Sequence, residues 1–560
     1  MTGAVAPRPP GTVMKLARLG AFHQTRLSFM RQLLRRLQGG AWRFETRAFD
    51  IDDRGVGHAV YTAHGPARSY SLVAFAHDLP DEMRSDRVIA TAWDATFTLF
   101  DGVPSADDIA RLRANVPRQE AGRVSQRELS LSRANRSVRL WDHVVDSLAA
   151  GRQPDAERVA EVGYLMRTTA VYGSGKFGAA DREYLSGREE CRGPFQVEML
   201  SVYLTRAFVM DLVEHMARCR APGTAVPLDP ALRRRFGIGN STGLGMAPFL
   251  VTHPALLNSW IAAREEALAR VRSLPRASEA EVDRFRAVAE RARLHAAGWR
   301  SAHPVQVEKL AALRADLDAL LAHAESADLA SDQPWNRLWL WAEKALSLEG
   351  QEQLVSLLLE PYGHLVDGLA DCMAADEFAT WTIDGAMRVS QLRRIVEDIY
   401  GWALETDWTA RGPRARVWYV SEEKLEPRLG ERFEEELAPY EQPLCPGRDA
   451  ARLHADLAAA GDGPLAAFLL RHPEHRHIAR RAQIAARLPY AEIRDNTIDA
   501  AMLPIDMLRM KLSFFGACHF DPRSDRWVRI NMYQNAPFPH ELAELPADDW
   551  TWPPLPEAAQ

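Results

Sequence analysis

The sequence predicts a mainly α chain with a smaller N-terminal α+β domain. In that domain an antiparallel four-stranded meander packs on a helix, and a large helical bundle with a few short C-terminal strands follows. Three observations carry this expectation. Residues 42–100 alternate with period two in four pieces, residues beyond 120 recur at helical spacing, and strand-like pieces return only at 416–420 and 526–532.

At the N-terminus, Leu19, Phe22, Leu27, Met30, Leu33 and Leu37 fall near helical spacing, and Gly39 and Gly40 can stop the helix. Lys15, Arg18, Arg26, Arg31, Arg35 and Arg36 ride on the same segment, but strand-like sequence follows without a cleavage-type region. A docked amphipathic helix is therefore expected rather than a transit peptide. The strand pieces at 42–50, 56–63, 69–76 and 88–100 are separated by turn residues, with Asp52, Asp53 and Gly55 in the first gap and Gly65 and Pro66 in the second. A helix over 106–114 closes this unit near residue 120.

Helices are then expected at 137–150, 156–172 and 195–219. The last contains Glu198, Arg206, Asp211 and Glu214, so it reads as buried in protein and not in a bilayer. Residues 261–326 are rich in Ala, Arg and Glu with sparse apolar positions, and Ser278 with Glu281 forms a capping-box pair. They predict a protruding helical hairpin, a candidate surface for a homodimer. Trp335, Trp339 and Trp341 read as core. The expected domains are 1–120, α+β with the antiparallel sheet; 121–260, a helical core with two glycine-rich loops; 261–330, the hairpin; and 331–560, helical with short strands and a Pro-rich tail.

At 560 residues the chain is long enough for several cores, and 47% hydrophobic with 26% charged residues is an ordinary globular composition. A formal charge of -6 gives no global basic surface, which argues against nucleic acid and membrane partners. Cys191, Cys219, Cys372, Cys445 and Cys518 are scattered without CxxC spacing. Neither a disulfide framework nor a zinc ribbon is indicated, and a reducing cytoplasm is the expected compartment.

Two glycine-rich stretches stand out, GSGKFG at 173–178 and GIGNSTGLG at 237–245. The first lacks the Ser or Thr after lysine that a Walker A loop needs, and the second has Thr242 where a dinucleotide fingerprint places its third glycine. What remains is backbone freedom near small polar groups, a setting in which successive N–H groups can face an anion. Gly173, Ser174, Gly175, Gly239, Asn240, Ser241, Thr242, Arg182 and Arg523 are accordingly the expected substrate-binding residues. Lysine is scarce, occurring only at Lys15, Lys176, Lys309, Lys344, Lys424 and Lys511, so Lys176 inside a glycine loop is a candidate catalytic cation.

Downstream, Cys518 and His519 adjoin Asp521, Arg523 and Asp525, which makes Cys518 a candidate nucleophile and His519 a candidate acid or base. His253, just past the main glycine stretch, is a third catalytic candidate. In RHPEHRH, His472 and His475 can share a helix face while His477 points elsewhere, and no HExxH spacing is present. No short motif assigns a cofactor, and flavin is left open because flavin sites in helical proteins carry no compulsory short motif. The expected function is an enzyme acting on a small carboxylate- or phosphate-bearing metabolite, lyase or group-transfer chemistry being preferred. A metal-dependent hydrolase or oxygenase using the histidine run, and a non-catalytic helical adaptor, are the competing readings.

Overall fold

The computed structural model describes residues 4–83, 92–118, 124–169, 182–185, 187–193, 195–240, 253–301, 304–372, 381–410, 446–494, 505–517, 519–521 and 529–552. Its frame is a nine-stranded sheet in the order β1-β2-β3-β4-β5-β6-β7-β9-β8. The strands are β1 Arg43–Ile51, β2 Gly57–His64, β3 Ser69–Ala76, β4 Ala95–Asp101, β5 Glu128–Arg136, β6 Tyr164–Thr168, β7 Gly237–Asn240, β8 His519–Asp521 and β9 Arg529–Met532. Local chemistry explains the first turn, where Asp52 Oδ1 accepts the N–H groups of Arg54 at 3.0 Å and Val56 at 2.8 Å. Gly55 closes it at a φ of 81°.

The four-stranded sheet must be corrected. Strands β1 to β4 pair antiparallel in sequence order, but β5 covers the outer edge of β4 and the sheet continues from there. An open edge at β4 would leave a row of backbone donors and acceptors without partners next to the core. Of the added strands, β6 is five residues long and buried throughout, which leaves no polar face to mark it, whereas β5 does alternate at Leu129, Ser130, Leu131 and Ser132 and was passed over although the structure buries both sets. The helix expected over 156–172 is confined to Ala156–Val162. Gly163 ends it at a φ of 72°, where a Cβ would overlap the Asn531 side chain, and the chain turns directly into β6.

Helices cover the two sheet faces unequally. The principal helices of this half are α1 Phe29–Gly39, α2 Ala106–Asn115, α3 Trp141–Ala149 and α4 Gln196–Arg220. Helix α4 lies across β2 to β7 and packs on α1 and α3. Helix α2 opens with a Ser105–Asp108 capping box and shares a small core on the opposite face, in which Leu112 meets Val60, Val73, Phe75, Phe100 and Leu131. Arg206, fully buried in mid-α4, donates to the carbonyls of Phe236 at 2.7 Å, Ala536 at 2.8 Å and Arg234 at 3.0 Å. That fan ties the entrance of β7 to the exit of β9. Among the described residues no helix is long and apolar enough to cross a membrane.

Helices α5 Pro254–Arg272, α6 Glu279–Gly298, α7 Pro304–Ser326 and α8 Leu348–Leu359 extend the main core. Ser278 and Glu281 form the capping box of α6, while Phe285, Val288, Leu313, Trp335 and Trp339 are buried. The N-terminal segment is locked in by buried ion pairs: Arg8 bridges Glu265 of α5 and Glu352 of α8 at 2.8 Å each, and Arg31 of α1 meets Glu360. A smaller core joins α9 Val389–Leu404, α10 Pro446–Ala459, α11 Leu465–Arg471 and α12 Arg476–Arg487. Helix α13, Ile505–Met510, then runs into a π-helical turn, Lys511–Phe515, that contacts α1. The strand piece expected at 416–420 lies outside the described residues, and the one at 526–532 contains β9.

Candidate functional site

Strands β6 and β7 are the parallel pair among the described strands, and α4 lies in the crossover that such a pair requires. Tyr164 stands opposite Gly237 and Arg167 opposite Gly239, so Thr168 and Asn240 end their strands at the same sheet edge. Residues 170–181 and 241–252 lie outside the described residues. Strand β9 runs antiparallel to β7 with Ile530 opposite Asn240, and Arg529 pairs with Asp521 of β8. Asp521 and Arg529 therefore stand at this edge too. At about 4.8 Å per strand spacing, these ends of β6, β7 and β9 span roughly 10 Å.

Close strand approach explains two of the glycines. A Cβ at Gly239 would stand 2.8 Å from both the Tyr164 ring and Arg167 Cγ, and one at Gly237 would stand 2.6 Å from the Met532 carbonyl oxygen. Asn240, at the tip of β7, is fully buried. Its Oδ1 accepts a hydrogen bond from Lys511 Nζ at 3.0 Å.

Lys511 is the group that sequence reasoning passed over. It opens the π-helical turn after α13, a geometry that recurs at functional positions. The turn is pinned by the N-terminal segment, where Thr25 N–H donates to the Ser513 carbonyl at 2.8 Å and Gly20 approaches Arg509 and Met510 too closely for a side chain. Burial lowers the Lys511 ammonium from 10.5 to about 7, because a charge removed from water favours its neutral form. An amine poised near neutrality can take a proton or attack a carbonyl carbon.

The expected site residues fall as follows. Gly239 and Asn240 form the end of β7. His253 is buried and immediately precedes α5, its carbonyl accepting the Leu257 N–H at 2.9 Å. His519 opens β8 opposite Asn531, and Arg182 opens the short helix Arg182–Leu185. Gly173, Ser174, Gly175, Lys176, Ser241, Thr242, Cys518 and Arg523 lie outside the described residues. Among the other polar groups, the Cys191 thiol is pushed up to about 12 by burial and is no thiolate nucleophile.

A second constellation sits in the smaller core. Asp456, His472, Glu474 and His475 hold their ligand atoms within 4.8 Å of one another, whereas His477 Nε2 turns to Asp449 at 3.1 Å. No family model matches the chain, and no curated protein or solved structure matches it. By fold it is a mainly helical protein around a mixed sheet, and its activity has to be argued from side chains.

Proposed function

We propose that the chain is an enzyme taking a small carbonyl-bearing anion, carboxylate or phosphate, at the edge where β6 and β7 end, with Lys511 as its reactive amine. The observation that carries this reading is the Lys511 Nζ to Asn240 Oδ1 hydrogen bond, which sets a buried amine at the tip of one strand of a parallel pair. The outer ends of parallel strands are where open sheets with crossover helices favour ligands, because connecting segments diverge there and leave a crevice.

Lyase or group-transfer chemistry suits such an amine. The neutral nitrogen adds to the carbonyl carbon and water leaves, forming an imine. Once protonated, that imine accepts the electron pair of a neighbouring breaking bond. In this reading Lys176, Ser241 and Thr242 hold the anionic group, Asn240 orients Lys511, and His253 or His519 moves a proton. Arg167, buried opposite Gly239, adds positive charge near the same edge.

Reductive trapping tests the proposal. The full chain is incubated at neutral pH with glyoxylate or pyridoxal 5′-phosphate, treated with borohydride, and mapped peptide by peptide. The expected result is an adduct on Lys511 that exceeds those on the other lysines and vanishes in Lys511→Met. Adducts confined to Lys15, Lys176, Lys309, Lys344 and Lys424 would overturn it.

A further inference from the structure

We propose that Asp456, His472, Glu474 and His475 bind a zinc-class divalent ion that staples α10 to the corner between α11 and α12. The four side chains come from two places. Asp456 projects from α10, and His472, Glu474 and His475 lie on the short bend that Pro473 starts after α11. His475 is buried and donates from Nε2 to Asp456 Oδ2 at 2.7 Å, His472 Nδ1 lies 3.4 Å from Glu474 Oε1, and His475 Nε2 lies 4.0 Å from Glu474 Oε1. A tetrahedral zinc with bonds of about 2.0–2.1 Å sets its ligand atoms about 3.3 Å apart, so these separations bracket the required value.

Ring packing holds the two imidazoles ready. Phe468 stacks on His472 at 4.7 Å between centroids and on His475 at 6.1 Å, with interplanar angles of 23° and 7°. Two imidazoles and two carboxylates balance a doubly charged cation and match the N/O donor set that zinc accepts. The flanking arginines do not compete for the place: Arg471 Nε donates to the Ala467 carbonyl of its own helix, and Arg476 is exposed. Four protein donors fill a tetrahedral ion, which leaves no position for a reacting water and marks a structural staple rather than a hydrolytic centre. The site is separate from Lys511 and stands or falls independently of it.

The test uses the full chain stripped with chelator and titrated with zinc against a chromophoric chelator, and with cobalt(II) followed by visible absorption. The expected result is one ion per chain, intense four-coordinate cobalt bands, and a rise in thermal midpoint on adding zinc. Asp456 and His472 are both only partly buried, so the double variant Asp456→Asn/His472→Ala should fold. It should lose more affinity than the roughly 10–100-fold that outer-shell changes cost. His477→Ala, in the same histidine run but turned to Asp449, should keep it. Absence of stoichiometric zinc, a six-coordinate cobalt spectrum in the wild-type chain, or unchanged affinity in the double variant would overturn the proposal.

Discussion

Lys511→Met keeps most of the length of the unbranched side chain and removes its titration. In the folded chain burial lowers the ammonium from 10.5 to about 7, so between those values the unfolded chain binds the proton that the folded chain has shed. Stability must then rise with pH across that window. Below about 7 both states are protonated and the full cost of the buried charge is present; above 10.5 neither is protonated and the cost is gone. At about 1.36 kcal/mol per pH unit the whole displacement amounts to roughly 5 kcal/mol, of which about 2 kcal/mol is regained between about pH 7 and 9.

The methionine variant loses this dependence. It also strips Asn240 Oδ1 of a donor, which costs about 1–3 kcal/mol but equally at every pH, so the difference between the two proteins isolates the titration. Guanidinium unfolding followed by tryptophan fluorescence at the two pH values measures it, with the fully buried Trp260 near Phe515 among the reporters. Wild-type stability relative to Lys511→Met should improve by about 2 kcal/mol on going to the higher pH. A difference that stays constant would refute the buried-amine argument.

Other consequences can be checked with single variants. Asn240→Asp places a carboxylate 3.0 Å from the amine and should raise the Lys511 titration well above 7, moving the pH profile of reductive trapping upward, because a nearby negative charge favours the ammonium. Gly239→Ala drives a methyl group against the Tyr164 ring and Arg167 at 2.8 Å and should cost about 1–3 kcal/mol by denaturation. Arg206→Met removes the donors to the Phe236, Ala536 and Arg234 carbonyls and should destabilise the chain by more than about 3 kcal/mol, read as an early loss of protection in β7 and β9 amides by hydrogen exchange.

Legibility in the sequence followed burial. Where one face of an element meets water, the pattern survives: the helix expected at 106–114 is Ala106–Asn115, and the strand expected at 42–50 is Arg43–Ile51; β2 and β3, largely buried, are legible from the turn residues that bound them. Strands β6 and β7 are short and buried throughout, so their neighbours in the sheet could not be read locally. The site divides the same way. The glycine-rich stretches are visible in the sequence, but the parallel pairing of β6 with β7 depends on a crossover through α4 that no local spacing reports. Lys511 had one legible signal, since lysine scarcity applies to it as much as to Lys176, and it sits in the apolar run MLRMKLSFF. Its depressed titration comes from tertiary burial, which no local spacing reports. For the histidine run, spacing separates His477 from His472 and His475, while Asp456 joins them only through the packing of α10.

The most direct measurement is the rate at which Lys511 reacts with acetic anhydride as pH is raised, followed peptide by peptide in the folded chain, with the exposed Lys344 as internal comparison. A half-maximal rate at about 7, lost when a carbonyl-bearing anion occupies the edge of β6 and β7, is the result this account predicts. A Lys511 rate that tracks Lys344, or no reaction at any pH at which the chain stays folded, would contradict it.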